Sequence, residues 1–266
     1  MLLCSIDEAS PEPNTQNHPE SRFLVMGVTM VDTSKCKELN DGIESIRAEY
    51  GFQHNDALKF ALHDKPNHVS NEQHANAKAA VISLAAALKV KVIVYCALHR
   101  IIDSQGQDRY LDMGIESCFT KIQQFYSESE KENGWFCLID RHSRGTLMPL
   151  MKSKFLERNH QAYDGFKTPD LIGVSMTWDG TTHLSSLCDI VTGSFNYIVN
   201  NPSRDQAGKK LIRLLKPLVW GQPSEDGKLT VIERGLLFRP KSPNVTLQHH
   251  FTETKSRILD WANQPD

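Results

Sequence analysis

The sequence predicts an α/β fold, a mixed β-sheet flanked by helices on both faces, and three observations carry that expectation. The opening run Leu2-Leu3-Cys4-Ser5-Ile6 lacks polar/apolar alternation and closes on Asp7 and Glu8, the pattern of a strand buried on both faces that delivers acid at its end. Gly134-Trp135-Phe136-Cys137-Leu138-Ile139-Asp140 repeats the device. Between them strands alternate with helical periods, Val90 to Leu98 being the clearest strand and Tyr110 to Ser127 carrying apolar residues at helical spacing.

Taken in order, the first strand is stopped by the turn chemistry of Ala9-Ser10-Pro11-Glu12-Pro13. Side chains alternate along a strand, so Asp7 and Glu8 point to opposite faces. A polar stretch of about a dozen residues, long for a hairpin loop, leads to a second strand, Arg22 to Val31, expected to pair antiparallel with the first. Thr33 or Ser34 caps a helix running to about Tyr50, where Gly51 stops it. Ala57-Leu58-Lys59-Phe60-Ala61-Leu62 reads as a short third strand. From Ser70 a long helix carries Ala75, Ala79, Val81, Ile82, Ala85, Ala86 and Leu88; its small side chains allow close approach to a sheet, and it is assigned packing and no chemistry.

Beyond Asp140 come Arg141 and His142, a helix over roughly Thr146 to Asn159, a strand from Leu171 to Trp178 and the turn Asp179-Gly180. Thr181 or Thr182 caps a helix reaching about Val199. Leu184, Leu187, Val191, Phe195 and Ile198 form its apolar face, and Thr182, Ser185, Ser186, Asp189, Thr192, Gly193 and Asn196 share the opposite one. A further helix covers Gly208 to Val219, with Lys209, Arg213 and Lys216 on one stripe, and a last strand lies within Leu229 to Phe238. The chain then loosens around Pro240 and Pro243 before a short helix near Glu253 to Ala262. This divides it into one domain, residues 1–240, and a C-terminal appendage, 241–266.

Composition excludes several classes. Hydrophobic residues at 39% and charged residues at 23% are ordinary for a globular chain of 266 residues. No apolar run approaches the roughly 18 residues of a membrane helix, and no basic segment or small-residue cleavage site follows Met1, so a cytoplasmic protein with no membrane partner is expected. The six cysteines form no CxxC pair, which argues against a zinc knuckle or a disulfide framework. With a formal net charge of −2, a nucleic-acid partner must be held by a local basic patch or through metal ions.

Three acids stand out: Asp7 and Asp140 at strand ends, and Asp189 as the lone charge on a small-residue helix face. Ligands of open α/β sheets collect at the carboxyl ends of strands. If the two strands are neighbours and the helix crosses their ends, the three carboxylates converge, and hard oxygen ligands of this kind suit Mg2+ or Mn2+.

The succession Ile6-Asp7-Glu8-Ala9-Ser10, Phe23 to Val31, Leu58-Lys59-Phe60, Leu138-Ile139-Asp140-Arg141 and Leu187-Cys188-Asp189-Ile190-Val191-Thr192-Gly193 resembles the uncharacterised, mostly bacterial family called domain of unknown function 3800. The likeness spans most of residues 1 to about 200. That resemblance implies a ribonuclease H-like fold and a metal-dependent nuclease. It also implies catalytic and metal-binding roles for Asp7, Asp140 and Asp189, with Glu8 in support. The sequence departs from the family pattern at Ser186, where the late motif has Gln, at Ala9, where Ser usually follows the acidic pair, and at Ala57, where an acid often precedes the Leu-Lys step.

Lys59, Arg141 and Arg144 are candidates for holding substrate phosphates, Arg by a bidentate fork and Lys as a point charge. The Lys209/Arg213/Lys216 stripe suits nonspecific backbone contact, though such a stripe is most often a solvated face. His142 and His183 flank candidate acids and are either proton carriers or surface and capping residues. A non-catalytic nucleic-acid-binding or partner-binding protein on the same fold is the competing reading. A two-carboxylate glycoside hydrolase ranks behind it, because aromatics are 8% of the chain and fall mostly within expected strands and helices. Cys188 beside Asp189 suggests a thiol nucleophile, but no histidine is placed to activate it.

Overall fold

The computed structural model describes residues 1–9, 23–99, 107–129, 131–140, 168–177, 181–223, 229–242 and 245–263. Its centre is a pair of strands, β1 (Leu2–Ala9) and β2 (Phe23–Asp32), joined antiparallel with Asp7 opposite Gly27. β4 (Trp135–Asp140) lies parallel to β1 on its other side, and β5 (Leu171–Thr177) continues parallel to β4. β3 (Lys91–Leu98) pairs antiparallel with β2, and β8 (Leu236–Arg239) parallel with β3, giving the order β5-β4-β1-β2-β3-β8. Within this six-stranded sheet β2 alone runs against the rest. The short strands β6 (Gln222–Pro223) and β7 (Leu229–Thr230) pair separately.

Helices cover both faces. α3 (Gln107–Glu128) packs Ile115, Phe119 and Ile122 against Ile6, Met26, Tyr95 and Trp135, and the buried Trp135 indole donates to Gln123 Oε1 at 2.9 Å. The other face carries α1 (Cys36–Glu49), α2 (Asn71–Ala87), α4 (His183–Asn200), α5 (Asp205–Leu215) and α6 (Val245–Asn263) over a larger apolar cluster. Capping boxes start α2 and α4: Ser70 and Gln73 exchange side-chain and backbone bonds, as do Thr182 and Ser185, satisfying N–H groups that a helix start otherwise leaves orphaned.

α4 is the helix that positions the site. It crosses β1 and β2 closely enough for the Cys188 thiol to donate to the carbonyls of Ser5 at 3.2 Å and Gly27 at 3.5 Å. The face expected to be polar is itself largely enclosed, with Ser185, Ser186, Thr192 and Gly193 buried. Gly27 has no side chain because none has room, a Cβ there falling 2.1 Å from Thr192 Oγ1.

Two sequence expectations need correction. Ala57–Leu62 is not a strand, because side chains rather than a neighbouring strand take up its backbone polar groups, as described below. The terminal helix is longer than expected, beginning at Val245, and its Phe251, Ile258 and Trp261 are buried in the main core. Phe251 meets the rings of Phe23 and Phe238 edge-on, at 5.7 and 6.0 Å between centroids, so this helix is tied to the sheet. The expected helix at Thr146 to Asn159 and the Asp179-Gly180 turn lie outside the described residues.

The Gly27–Thr192 contact is open to direct test. Gly27→Ala is expected to lower stability by about 1–3 kcal/mol, the usual cost of overpacking, seen as a lower urea midpoint at unchanged slope. Adding Thr192→Ala, which removes the atom that the new methyl meets, is expected to recover part of the loss.

Candidate active site at the ends of β1 and β4

Ile6 and Ile139 are the last partners across the parallel strands β1 and β4, so Asp7 and Asp140, each one residue further on, stand side by side where that pairing ends. Leu2, Cys4 and Ile6, with Trp135, Cys137 and Ile139, fill the α3 side. The pleat therefore turns Asp7 and Asp140 to the opposite face, under α4. Asp189 reaches the same place from the second turn of α4. Glu8, by the same alternation, points to the other face from Asp7.

The electrostatics report this proximity. Burial pushes the Asp7 carboxyl well above the usual carboxylate range, and the charges of Asp189 and then Asp140 push it the same way. The Glu8 N–H, donating to Asp7 Oδ1 at 2.7 Å, pulls in the opposite direction and is outweighed. Asp189 is held from outside the sheet: its Oδ2 accepts the N–H of Phe60 at 2.5 Å. The Phe60 carbonyl accepts from Lys78 Nζ at 2.9 Å, and the Lys59 carbonyl accepts from His74 Nε2 at 2.8 Å. Burial lowers the Lys78 ammonium to about 8, against the opposing pull of Asp189. Burial also lowers His74, consistent with a neutral imidazole donating one N–H.

His74 and Lys78 escaped the sequence reading, which treated α2 as packing alone. The signal was present: the two are four residues apart and continue, through Val81 and Ala85, the buried stripe of that helix. Two ionisable groups on such a stripe demand partners, and here those partners are backbone carbonyls.

The candidate bases fare differently. Lys59 is half-buried on the strap, the irregular segment 57–62 whose Phe60 N–H binds Asp189, whereas Arg141, Arg144 and His142 lie outside the described residues. His183, at the start of α4, places Nε2 2.8 Å from Glu44 of α1, and burial lowers its pKa. It is thus engaged with α1 rather than with the acids. In the basic stripe of α5, Lys216 donates to the Ala262 carbonyl at 2.7 Å. Cys188 is fully buried and its thiol is pushed up by that burial, the reverse of what a nucleophile requires.

A polar cavity of about 530 Å³ opens between α1, residues 54–58 and the N-terminus of α4, with Ser186 on its wall and none of the three acids among the residues that line it. The buried Arg47 also lines it, and its Nη2 binds the carbonyls of Gln53, His54 and Asp56 at 3.0, 3.1 and 2.5 Å. Among the described residues, no three acid, imidazole or thiol groups form a ready-made cage for a metal ion, and no helix is long and apolar enough to cross a membrane.

The crowding of Asp7 gives a pH signature. Its folded-state pKa lies above the unfolded value of about 3.9, so the native state holds the proton more tightly. The stability this provides is complete below about pH 4 and is lost as pH rises through the folded value. Asp7→Asn, which keeps an acceptor for the Glu8 N–H but cannot ionise, is therefore expected to melt at a higher temperature than wild type at pH 7 in chelator. At pH 4 the advantage should disappear. Thermal unfolding at the two pH values checks this, and equal melting at pH 7 would show that burial and the neighbouring charges do not raise the Asp7 pKa.

No family model matches the sequence, and no curated protein matches it. The crystal structure of the ribonuclease H2 from Pyrococcus horikoshii OT3 aligns over 99% of this chain and 100% of its own, at 12% identity and a TM-score of 0.37, a likeness too slight to carry fold or function.

Proposed function

We propose that this chain is a metal-dependent nuclease, or a related phosphoryl-transfer enzyme, built on a ribonuclease H-like sheet and acting on nucleic acid. The observation that carries the reading is the approach of Asp140 and Asp189 to Asp7, whose pKa is raised by burial first and by these two charges in addition. Such crowding is a standing cost that a cation would offset.

The donor set fits Mg2+ or Mn2+. Three carboxylates are hard oxygen ligands, and Mg2+ is commonly held by one or two carboxylates with waters and substrate phosphate completing its shell, so a full protein cage is not required. When bound, such an ion supplies a more acidic water and charge stabilisation at the phosphoryl oxygens. The chain's own part is to present the three acids, to fix Asp189 through the Phe60 N–H, and to close the sheet side of the site with α4. Glu8 has a supporting role. Lys59 on the strap, and Arg141 and Arg144 following Asp140, are the proposed contacts to substrate phosphates.

The test is cleavage of labelled single-stranded DNA, duplex DNA, RNA and RNA/DNA hybrid with Mn2+ or Mg2+ against chelator. Wild type is expected to cut at least one of them only with metal. Asp7→Asn and Asp189→Asn should each lower the rate about a hundredfold or more, since metal stabilisation is worth several kcal/mol and about 1.4 kcal/mol is tenfold. Full activity in Asp7→Asn would overturn the reading. Nucleic-acid binding without cleavage would favour a binding protein on this fold, a reading to which Ser186 in place of the family's Gln lends weight.

A further inference from the structure

The strap around Phe60 is held by side chains on both sides. Its N–H goes to Asp189 on α4, while the carbonyls of Lys59 and Phe60 go to His74 and Lys78, one turn apart on α2. The Lys78 ammonium also stands 4.5 Å from the centre of the Phe60 ring, and that ring lies against Gly193, one turn beyond Asp189. A Cβ at Gly193 would fall 2.4 to 2.6 Å from three carbons of Phe60, so the bare helix surface there is what admits the strap.

We infer that α2, the strap and α4 form a clamp that positions Asp189 for cation binding, with Lys78 as its principal positioning residue. Lys78 holds residue Phe60 by its carbonyl and its ring, and His74 holds the carbonyl of Lys59, which belongs to the same peptide group as the Phe60 N–H. That N–H, kept in place by the two, fixes one oxygen of Asp189 and restrains rotation of the carboxylate. Partners of this kind, one bond removed from a metal ligand, orient the ligand. The inference rests on the reading of the three acids as a cation site.

Two roles for Lys78 predict opposite signs. As a nearby positive charge, Lys78 opposes a divalent cation, and its removal would tighten binding. As the anchor of the strap, its removal loosens Asp189 and weakens binding.

Calorimetric titration of the full chain with Mn2+ separates them, using wild type, Lys78→Met, Lys78→Arg, Gly193→Ala and Asp189→Asn, each checked for folding by circular dichroism. Wild type is expected to bind Mn2+, and Asp189→Asn to bind it much more weakly. Lys78→Met should weaken binding about tenfold, the lower end of the usual loss because Lys78 acts through Phe60 and not on the ligand itself, and Lys78→Arg should restore most of it. Gly193→Ala displaces Phe60 from the other side without changing charge, and should weaken binding comparably. Unchanged or tighter binding in Lys78→Met overturns the clamp, as does unchanged binding in a folded Gly193→Ala. Failure of wild type itself to bind Mn2+ would instead remove the cation site, a result distinct from either.

Discussion

The close seating of α4 on β1 and β2 is the constraint on which the rest of the structure depends. A helix cannot normally lie this near a sheet, because side chains on both surfaces hold them about 10 Å apart. Here Gly27 contributes none, Ser5 little, and Cys188 and Thr192 are small enough to bring the helix down to hydrogen-bonding distance of strand carbonyls. Asp189, one residue after Cys188, is thereby carried over the strand ends where Asp7 and Asp140 emerge. A larger residue at any of these contacts would lift the helix and part the acids.

That arrangement sets like charges against one another in a partly desolvated place, which works against folding. Two apolar clusters, one on each face of the sheet, supply the counterweight. β2, which pairs with the Asp7 strand, is buried along almost its whole length, so Asp7 is built beside the core of the sheet. Preorganised charge of this kind is characteristic of functional sites, where local stability is given up for chemistry.

The parts of this design legible in the sequence were those written in contiguous residues. Leu2 to Asp7 and Trp135 to Asp140 announce buried strands ending in acid, and Thr181 or Thr182 announces a helix start. Asp189 could be singled out because it is one charge among small neighbours. The strap could not be read the same way. Ala57 to Leu62 has strand-like composition, but a strand is defined by what its backbone bonds to, and here those partners are side chains 15, 18 and 129 positions away. His74 and Lys78 could be flagged by their place on the buried stripe of α2, but their partners could not, because the carbonyls they hold lie 15 and 18 positions away. The full extent of α6 was likewise obscured, since Phe251 is explained only by its edge-on contacts with Phe23 and Phe238.

The strap gives the site a second support independent of the sheet. Arg47 of α1 gathers the carbonyls of Gln53, His54 and Asp56 and so fixes the turn that leads into it, while His74 and Lys78 of α2 fix its middle. Asp7 and Asp140 owe their positions to strand pairing, but the orientation of Asp189 depends on this chain of side-chain-to-backbone bonds running through two other helices. Strand pairing is cooperative, with many bonds sharing the load, whereas each link of the strap is one hydrogen bond worth about 1 kcal/mol, or somewhat more where a charge takes part. The geometry of Asp189 is therefore the part of the site that single substitutions can alter while the sheet stays folded.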